Sequence, residues 1–445
     1  MTSLYQAAYL LAALFLVLLA AGRWRVQPVL ALLVAAVGFG LAAGMATSQI
    51  GKSFGVGFSQ TLQSLGLVVL AGALMTEIAE GAGAGTWLAA RVQGLSRRAA
   101  GLVLPAIGLV GGLGSSPAAT FAVLAPLRRA LGGEGARPAV TLALALSGAH
   151  GLLLPAPVMI AAVTILGASW WATLAFGLPL ALVAVAVGAL YARLATPAAT
   201  LLAGETLAEA TALHRPRRAA VFLAAVSAVL VALLAVQSLG DIASEPFGGG
   251  SNREFILGLG RPLMLLVVGV GLLALLVRPW ERGGLTEEGW AGRGIARAAG
   301  LILLVGAAGG LQKLVQDTGL PEMNAERLLG WQPEPALALV LPFALAALMK
   351  LLQGSSLVAA ITAAGMAAPL LGPLGLDTGA GRALAALAVG AGAMTASQLT
   401  DGLFWLVAQA GRLGPGGCLA RFSLGTAVQG AVSLGLLLLL HLVCA

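Results

Sequence analysis

Four short stretches of this chain put polar or ionisable groups where everything around them is apolar. Two carry Gly-Ser-Ser: GLGSSPAAT holds Gly114, Ser115 and Ser116, and LLQGSSLVAA holds Gly354, Ser355 and Ser356. Turns of this composition offer backbone N–H groups, hydroxyls and the positive ends of helix dipoles, a donor set that suits an anion and above all a carboxylate. The third, ASQLTDGLFWL, turns polar through Ser397, Gln398, Thr400 and Asp401 and resumes as LFWLV, the pattern of a helix unwound around a carboxylate. Its chemistry would be that of a proton or cation site; a plain helix cap at a water boundary is the alternative for Thr400 or Asp401. The fourth, SGAHGLLLPAP, sets His150 before Pro155 and Pro157, where a lone histidine either exchanges a proton or is a satisfied packing residue. Glu77, in MTEIAEG near the end of another apolar run, is the remaining proton-coupling candidate. Gln353 and Gln398 are suited either to hydroxyls of a ligand or to pairing across helices, and Lys313 and Lys350 are expected to snorkel toward an interface.

The elements that must position these groups follow from composition. Of 445 residues 59% are hydrophobic and only 9% charged, against about 25% charged in an ordinary soluble domain, and the mean hydropathy is +0.97. Such a chain cannot cover itself with polar surface, so it is expected to be an all-α polytopic membrane protein in contact with the lipid bilayer. The 62 glycines suit helices whose backbones approach closely. A net charge of +8 arises from Lys and Arg in short loops, which sets topology and points to no nucleic acid. Cys418 and Cys444 have no metal-ligand spacing, and no metal or cofactor is expected. The first apolar run, Tyr5 to Ala21, lacks a basic leader and is read as a retained helix.

Apolar spans are expected near residues 4–21, 27–46, 60–79, 138–155, 172–192, 219–238, 262–278, 296–315, 383–398 and 423–443. Two regions, 101–127 and 336–371, are broken near their middles by Gly-Ser-Ser and close on Pro126 and Pro369, so they are read as re-entrant hairpins. With the N-terminus outside, most of the 25 basic residues, including Arg128, Arg129, Arg293, Arg297 and Arg412, face the cytoplasm. LGLVVLAGAL resembles AGLILLVGAA, and GSSPAAT followed by LAPL resembles GSSLVAA followed by AAPL. These pairs mark an inverted-topology repeat: residues 1–198 form the first half, 199–218 a cytoplasmic linker, and 219–445 the second half. Broken helices meeting at mid-membrane in such a repeat are where secondary transporters place their site.

The stretches GKSFGVGFSQTLQSLGLVVLAGALMTEIAEGAGA, AHGLLLPAP, LLQGSSLVAAITAAGMAAPLL and SQLTDGLFWLV resemble motifs of the gluconate permease (GntP) family of the ion transporter superfamily, over roughly residues 50 to 440. The resemblance implies proton-coupled symport of gluconate or a related small hydroxycarboxylate through the bacterial inner membrane. It also implies that Gly354, Ser355, Thr362, Thr400, Asp401 and His150 belong to the site. The chain departs from the family pattern twice, lacking an aromatic pair followed by Asp in the first hairpin and a second His after His150.

The expectation is therefore a transporter of a small organic anion and not an enzyme, with Ser115, Ser116, Ser355 and Ser356 holding the carboxylate. Coupling to Na⁺ stays open, since unwound backbone carbonyls coordinate it without a sequence trace. An intramembrane hydrolase with Ser115 or Ser355 as nucleophile and His150 as base is the alternative of another class; the chain has no G-x-S-x-G or H-E-x-x-H to support it. A homodimer is an expectation from the architecture alone.

Overall fold

Segments this apolar must close their own backbone hydrogen bonds, and every described element of the computed structural model is helical. The structure describes all residues except 1, 94, 115, 134, 197–215, 241–247, 249, 278–282, 322, 325–329, 331–332 and 445. Most of the expected linker, 199–218, thus lies outside the described residues. The first half contains α1 (Thr2–Gly22), α2 (Pro28–Ala42), α3 (Thr47–Thr61), α4 (Leu67–Gly81), α5 (Ala84–Gln93), α6 (Arg97–Gly111), α7 (Pro117–Val123), α8 (Ala125–Gly132), α9 (Ala136–Leu152), α10 (Pro157–Leu166) and α11 (Trp170–Ala195). The second contains α12 (Pro216–Gly240), α13 (Ser251–Leu259), α14 (Pro262–Val277), α15 (Trp290–Asp317), α16 (Val340–Gln353), α17 (Ser356–Ala367), α18 (Gly379–Ala393), α19 (Gly402–Ala410), α20 (Pro415–Cys418) and α21 (Leu424–Cys444).

Among the described residues eight helices are long and apolar enough to cross a membrane, and a ninth is made if α13 and α14, bent by 57°, count as one span. Several spans differ from expectation. The expected 60–79 span belongs to a helix of 35 residues, Thr47–Gly81, because α3 and α4 continue through a π-turn at Leu62–Gly66. Polar residues of α3 hide that continuity from hydropathy. Conversely, α18 stops at Ala393, short of the expected 398, and α2 has only 15 residues.

Glycine sets how closely the longest helices pack. Helix α15 runs antiparallel to α3 and α4, and a Cβ on Gly57 would fall 2.3 Å from the Gly309 carbonyl oxygen. The rings of Phe54 and Phe58 rest on Gly310 and Gly306 along the same seam, where any side chain would collide with them.

Contacts at the two ends of the bundle fix the course of the hairpins. At one end Glu77 of α4 meets Arg293 and Arg297 of α15 at 2.9 and 2.8 Å. The first hairpin returns to that end, where Arg129 of α8 pairs with Glu80 at 2.8 Å. At the other end His441 of α21 reaches the Pro335 carbonyl at 3.1 Å, just ahead of α16, and Arg382 at the start of α18 donates to the Leu166 carbonyl at 3.2 Å. The second hairpin, α16 and α17, therefore enters from the end opposite to the first. Between the ends, α9 gives way to α10 at residues 153–156, and α18 to α19 at 394–401. The two broken helices cross where Gly390 backs onto the Gly151 carbonyl.

Candidate functional site

Each Gly-Ser-Ser stretch starts a helix, and its serine caps it. Ser116 precedes α7 and accepts a hydrogen bond from the Ala119 N–H at 3.5 Å, with Pro117 in the first helical position. Ser355 precedes α17 and accepts from the Val358 N–H at 3.3 Å. The second serine does the capping in the first hairpin and the first serine in the second, so the copies differ by one residue at the turn. Ser115 lies outside the described residues. Gly354 has φ +76°, and a Cβ there would meet Thr400 Oγ1 at 2.5 Å. Only glycine makes this turn without strain and lets α16 end against the break that holds Asp401.

That break carries an ion pair inside the bundle. Lys350, 2% exposed, donates from Nζ to Asp401 Oδ2 at 2.6 Å and to the Gly354 carbonyl at 2.6 Å. The expectation that Lys350 snorkels outward is corrected: α16 ends inside the bundle, and a carboxylate and a C-terminal carbonyl close to its ammonium replace water. Asp401 is also the cap of α19, since Oδ1 accepts the Leu403 N–H at 2.9 Å while Ser397 Oγ donates to Oδ2. The cap and the buried charge are thus one group. Neighbouring Thr400 is fully buried, whereas the Asp401 side chain keeps 14% of its surface exposed, toward the cavity it lines. His150 is 3% exposed; its Nδ1 lies 3.1 Å from the Gly112 carbonyl, which ties the ring to the first hairpin.

These groups converge on one cavity of about 440 Å³, lined by Ser116, His150, Lys350, Gly354, Ser355, Ser356 and Asp401. The starts of α7 and α17 both border it, as do Ser147 and Ser397. Other expected residues are elsewhere. Gly114 is packed beside Thr120 and Leu234. Gln398 and Thr400 stand behind the lining, where Gln398 Nε2 donates to the Leu351 carbonyl at 2.8 Å and to Thr400 Oγ1 at 2.7 Å. Thr362 lies one turn and more along α17, away from the lining residues. Glu77 is at the arginine-rich end, paired with Arg293 and Arg297 rather than facing the cavity. Conversely, Gln60, Thr61 and Ser64 line the cavity at the π-turn, and Gln312 and Gln237 join them. Reading by charge passed over these neutral residues; their clustering in GFSQTLQS was the available signal. Among the described residues no group of three or more His, Cys, Asp or Glu could hold a metal ion.

A multi-span helical bundle that encloses a polar cavity at the crossing of two broken helices defines a membrane permease. The chain belongs to the GntP family: the family model described as GntP family permease matches residues 5–443. It is similar to a gluconate permease of Pseudomonas aeruginosa, 30% identical over 87% of this chain and 86% of the relative. It also resembles two Escherichia coli K12 proteins. One is a high-affinity gluconate transporter, 27% identical over 88% of this chain and 89% of the relative. The other is a Gnt-II system L-idonate transporter, 26% identical over 86% and 87%. The protein is accordingly a multi-pass membrane transporter rather than an enzyme, and the bacterial inner membrane fits these relatives.

Proposed function

We propose that this permease carries gluconate or a closely related hydroxycarboxylate across the inner membrane by symport with protons. The observation that carries this reading is the cavity where the Lys350–Asp401 pair faces the serine-capped starts of two helices. The names of the relatives, gluconate permease and L-idonate transporter, support the same class of anion. The substrate carboxylate docks against the N–H groups at the start of α17, beside Ser116 of the opposed hairpin, and within reach of Lys350. Gln60, Thr61, Ser64 and Gln312 supply hydrogen bonds to its hydroxyls.

Coupling follows from charge. In the empty site the Asp401 carboxylate is the counter-ion of Lys350. An incoming carboxylate adds a negative charge to a low-dielectric site, where an excess charge is expensive. Protonation of Asp401 removes that excess and releases Lys350 to the substrate, so one anion travels with one proton. His150 borders the same cavity and would be the carrier of a second proton were more than one to accompany each anion. The two opposed hairpins and broken helices support an inverted duplication, residues 1–198 against 219–445, with the arginine-rich end in the cytoplasm.

The test is uptake of radiolabelled gluconate by the purified protein in liposomes, with and without an inward proton gradient. Gradient-dependent uptake that Asp401→Asn abolishes is expected. Uptake indifferent to the gradient would overturn proton coupling, and no uptake by folded protein would overturn gluconate as the substrate.

A further inference from the structure

A second cavity, of about 350 Å³, lies nearer the arginine-rich end and is lined by Arg128, Arg129, Arg297 and Arg412, with Thr76 and Gln409. Among the described residues no carboxylate lines it. Glu77 and Glu80 stand behind, at 2.8 Å from Arg297 and Arg129 respectively, and Glu80 lies 3.6 Å from Arg297. Arginines collected at one end of a bundle need mean no more than membrane topology. Here, however, they converge on a concave space from three separate elements, and Arg128 is only 6% exposed. A cleft lined by one sign of charge with apolar walls focuses its field and concentrates the counter-ion.

The position of this cavity gives it a role. Helix α4 contributes Val68 to the central cavity and Gly72 and Thr76 to the arginine cavity. Helix α7 contributes Ala119 to the first and Phe121 to the second, and α19 contributes Leu403 and then Gln409. The two spaces are stacked along the same three helices, a turn or two apart. Between them Gly72 backs onto the Ala122 carbonyl, where a Cβ would fall 2.1 Å from the oxygen. That backbone contact brings α4 and α7 together on the side of the arginine cavity that faces the central one.

We propose that the arginine cavity is a second anion site, the inner station at which the transported carboxylate is held before release on the arginine-rich side. Its being an anion site rests on the geometry above; the substrate class rests on the function proposed for the central cavity. The test separates the two. A cysteine is placed at exposed Gln409 in a Cys418→Ser, Cys444→Ser background, and the protein is reconstituted in phosphatidylcholine, so that no anionic headgroup competes. Labelling is compared between a sulfonate-bearing and a trimethylammonium-bearing methanethiosulfonate. Relative to a small thiol in solution, at least a tenfold preference for the sulfonate reagent is expected, with slower labelling in millimolar gluconate or inorganic phosphate. Arg412→Gln, at an exposed position and so mild toward folding, should cut the preference severalfold, and Arg128→Gln with it should remove both preference and protection.

Equal rates for the two reagents would overturn the anion site. Preference without protection by gluconate, in a protein that transports gluconate, would overturn the station. If the protein transports no gluconate while preference and phosphate protection persist, the anion site is supported and the substrate assigned to the central cavity falls.

Discussion

At the scale of single residues, the molecule turns on one buried ion pair. Breaking such a pair from one side leaves an uncompensated charge and costs about 3–5 kcal/mol, whereas replacing both partners by apolar groups is often neutral. Asp401→Asn should therefore lower thermal stability in detergent as well as abolish coupled uptake. Lys350→Met combined with Asp401→Leu should recover the stability and leave transport absent. A double variant as unstable as the single one would refute the pair's energetic role. The stretches that bring Asp401, His150, Ser116, Ser355 and Ser356 to one cavity stand out in the sequence because ionisable and hydroxyl groups at membrane depth need a reason to be there. Lys350 was misjudged because sequence gives a lysine's depth along a helix but not whether that helix ends in water or against another break. The pairing of Glu77 is hidden for a related reason, since its partners Arg293 and Arg297 lie 216 residues or more further along the chain.

Elements place these residues by how they start and stop. Gly354 stands at φ +76° against Thr400; a left-handed residue with a side chain costs roughly 1–2 kcal/mol before any clash is counted. Gly354→Ala should thus abolish uptake, because the turn that presents Ser355 cannot close on the Thr400 break. Ser355→Ala loses a cap worth about 1 kcal/mol, a small stability change. If Ser355 touches the carboxylate as well, the same substitution should raise KM for gluconate by tenfold or more, and an unchanged KM would confine it to capping. Most spans could be read from hydropathy. The π-turn at Leu62–Gly66 could not, since no residue type marks it, yet such turns recur at functional sites, and this one presents Thr61 and Ser64 to the cavity.

For the whole molecule, the proposed cotransport of one proton with each carboxylate would make uptake electrically silent. Gluconate uptake driven by a pH gradient should be unaffected by a membrane potential set with potassium and valinomycin. A rate that climbs with negative-inside potential would mean more than one proton per anion and would bring His150 into the count. Paired motifs and the distribution of arginine suggest an inverted repeat in the sequence, which the function proposed above takes up. The arginine cavity leaves no such trace, because Arg128, Arg297 and Arg412 come together only when α8, α15 and the end of α19 are packed.

The 35-residue helix Thr47–Gly81 joins both cavities in a single rod. From Ser64 to Glu77 it runs about 20 Å at 1.5 Å per residue. The π-turn interrupts its α-helical hydrogen bonding, and it borders the cavity proposed to hold the substrate, so a bend of the rod there would pivot beside the cargo. A tilt of about 5° there would swing Glu77 by roughly 2 Å, enough to part its 2.8 Å contact with Arg297. A bend at the π-turn would therefore be felt at both cavities and at the Glu77 ion pairs together.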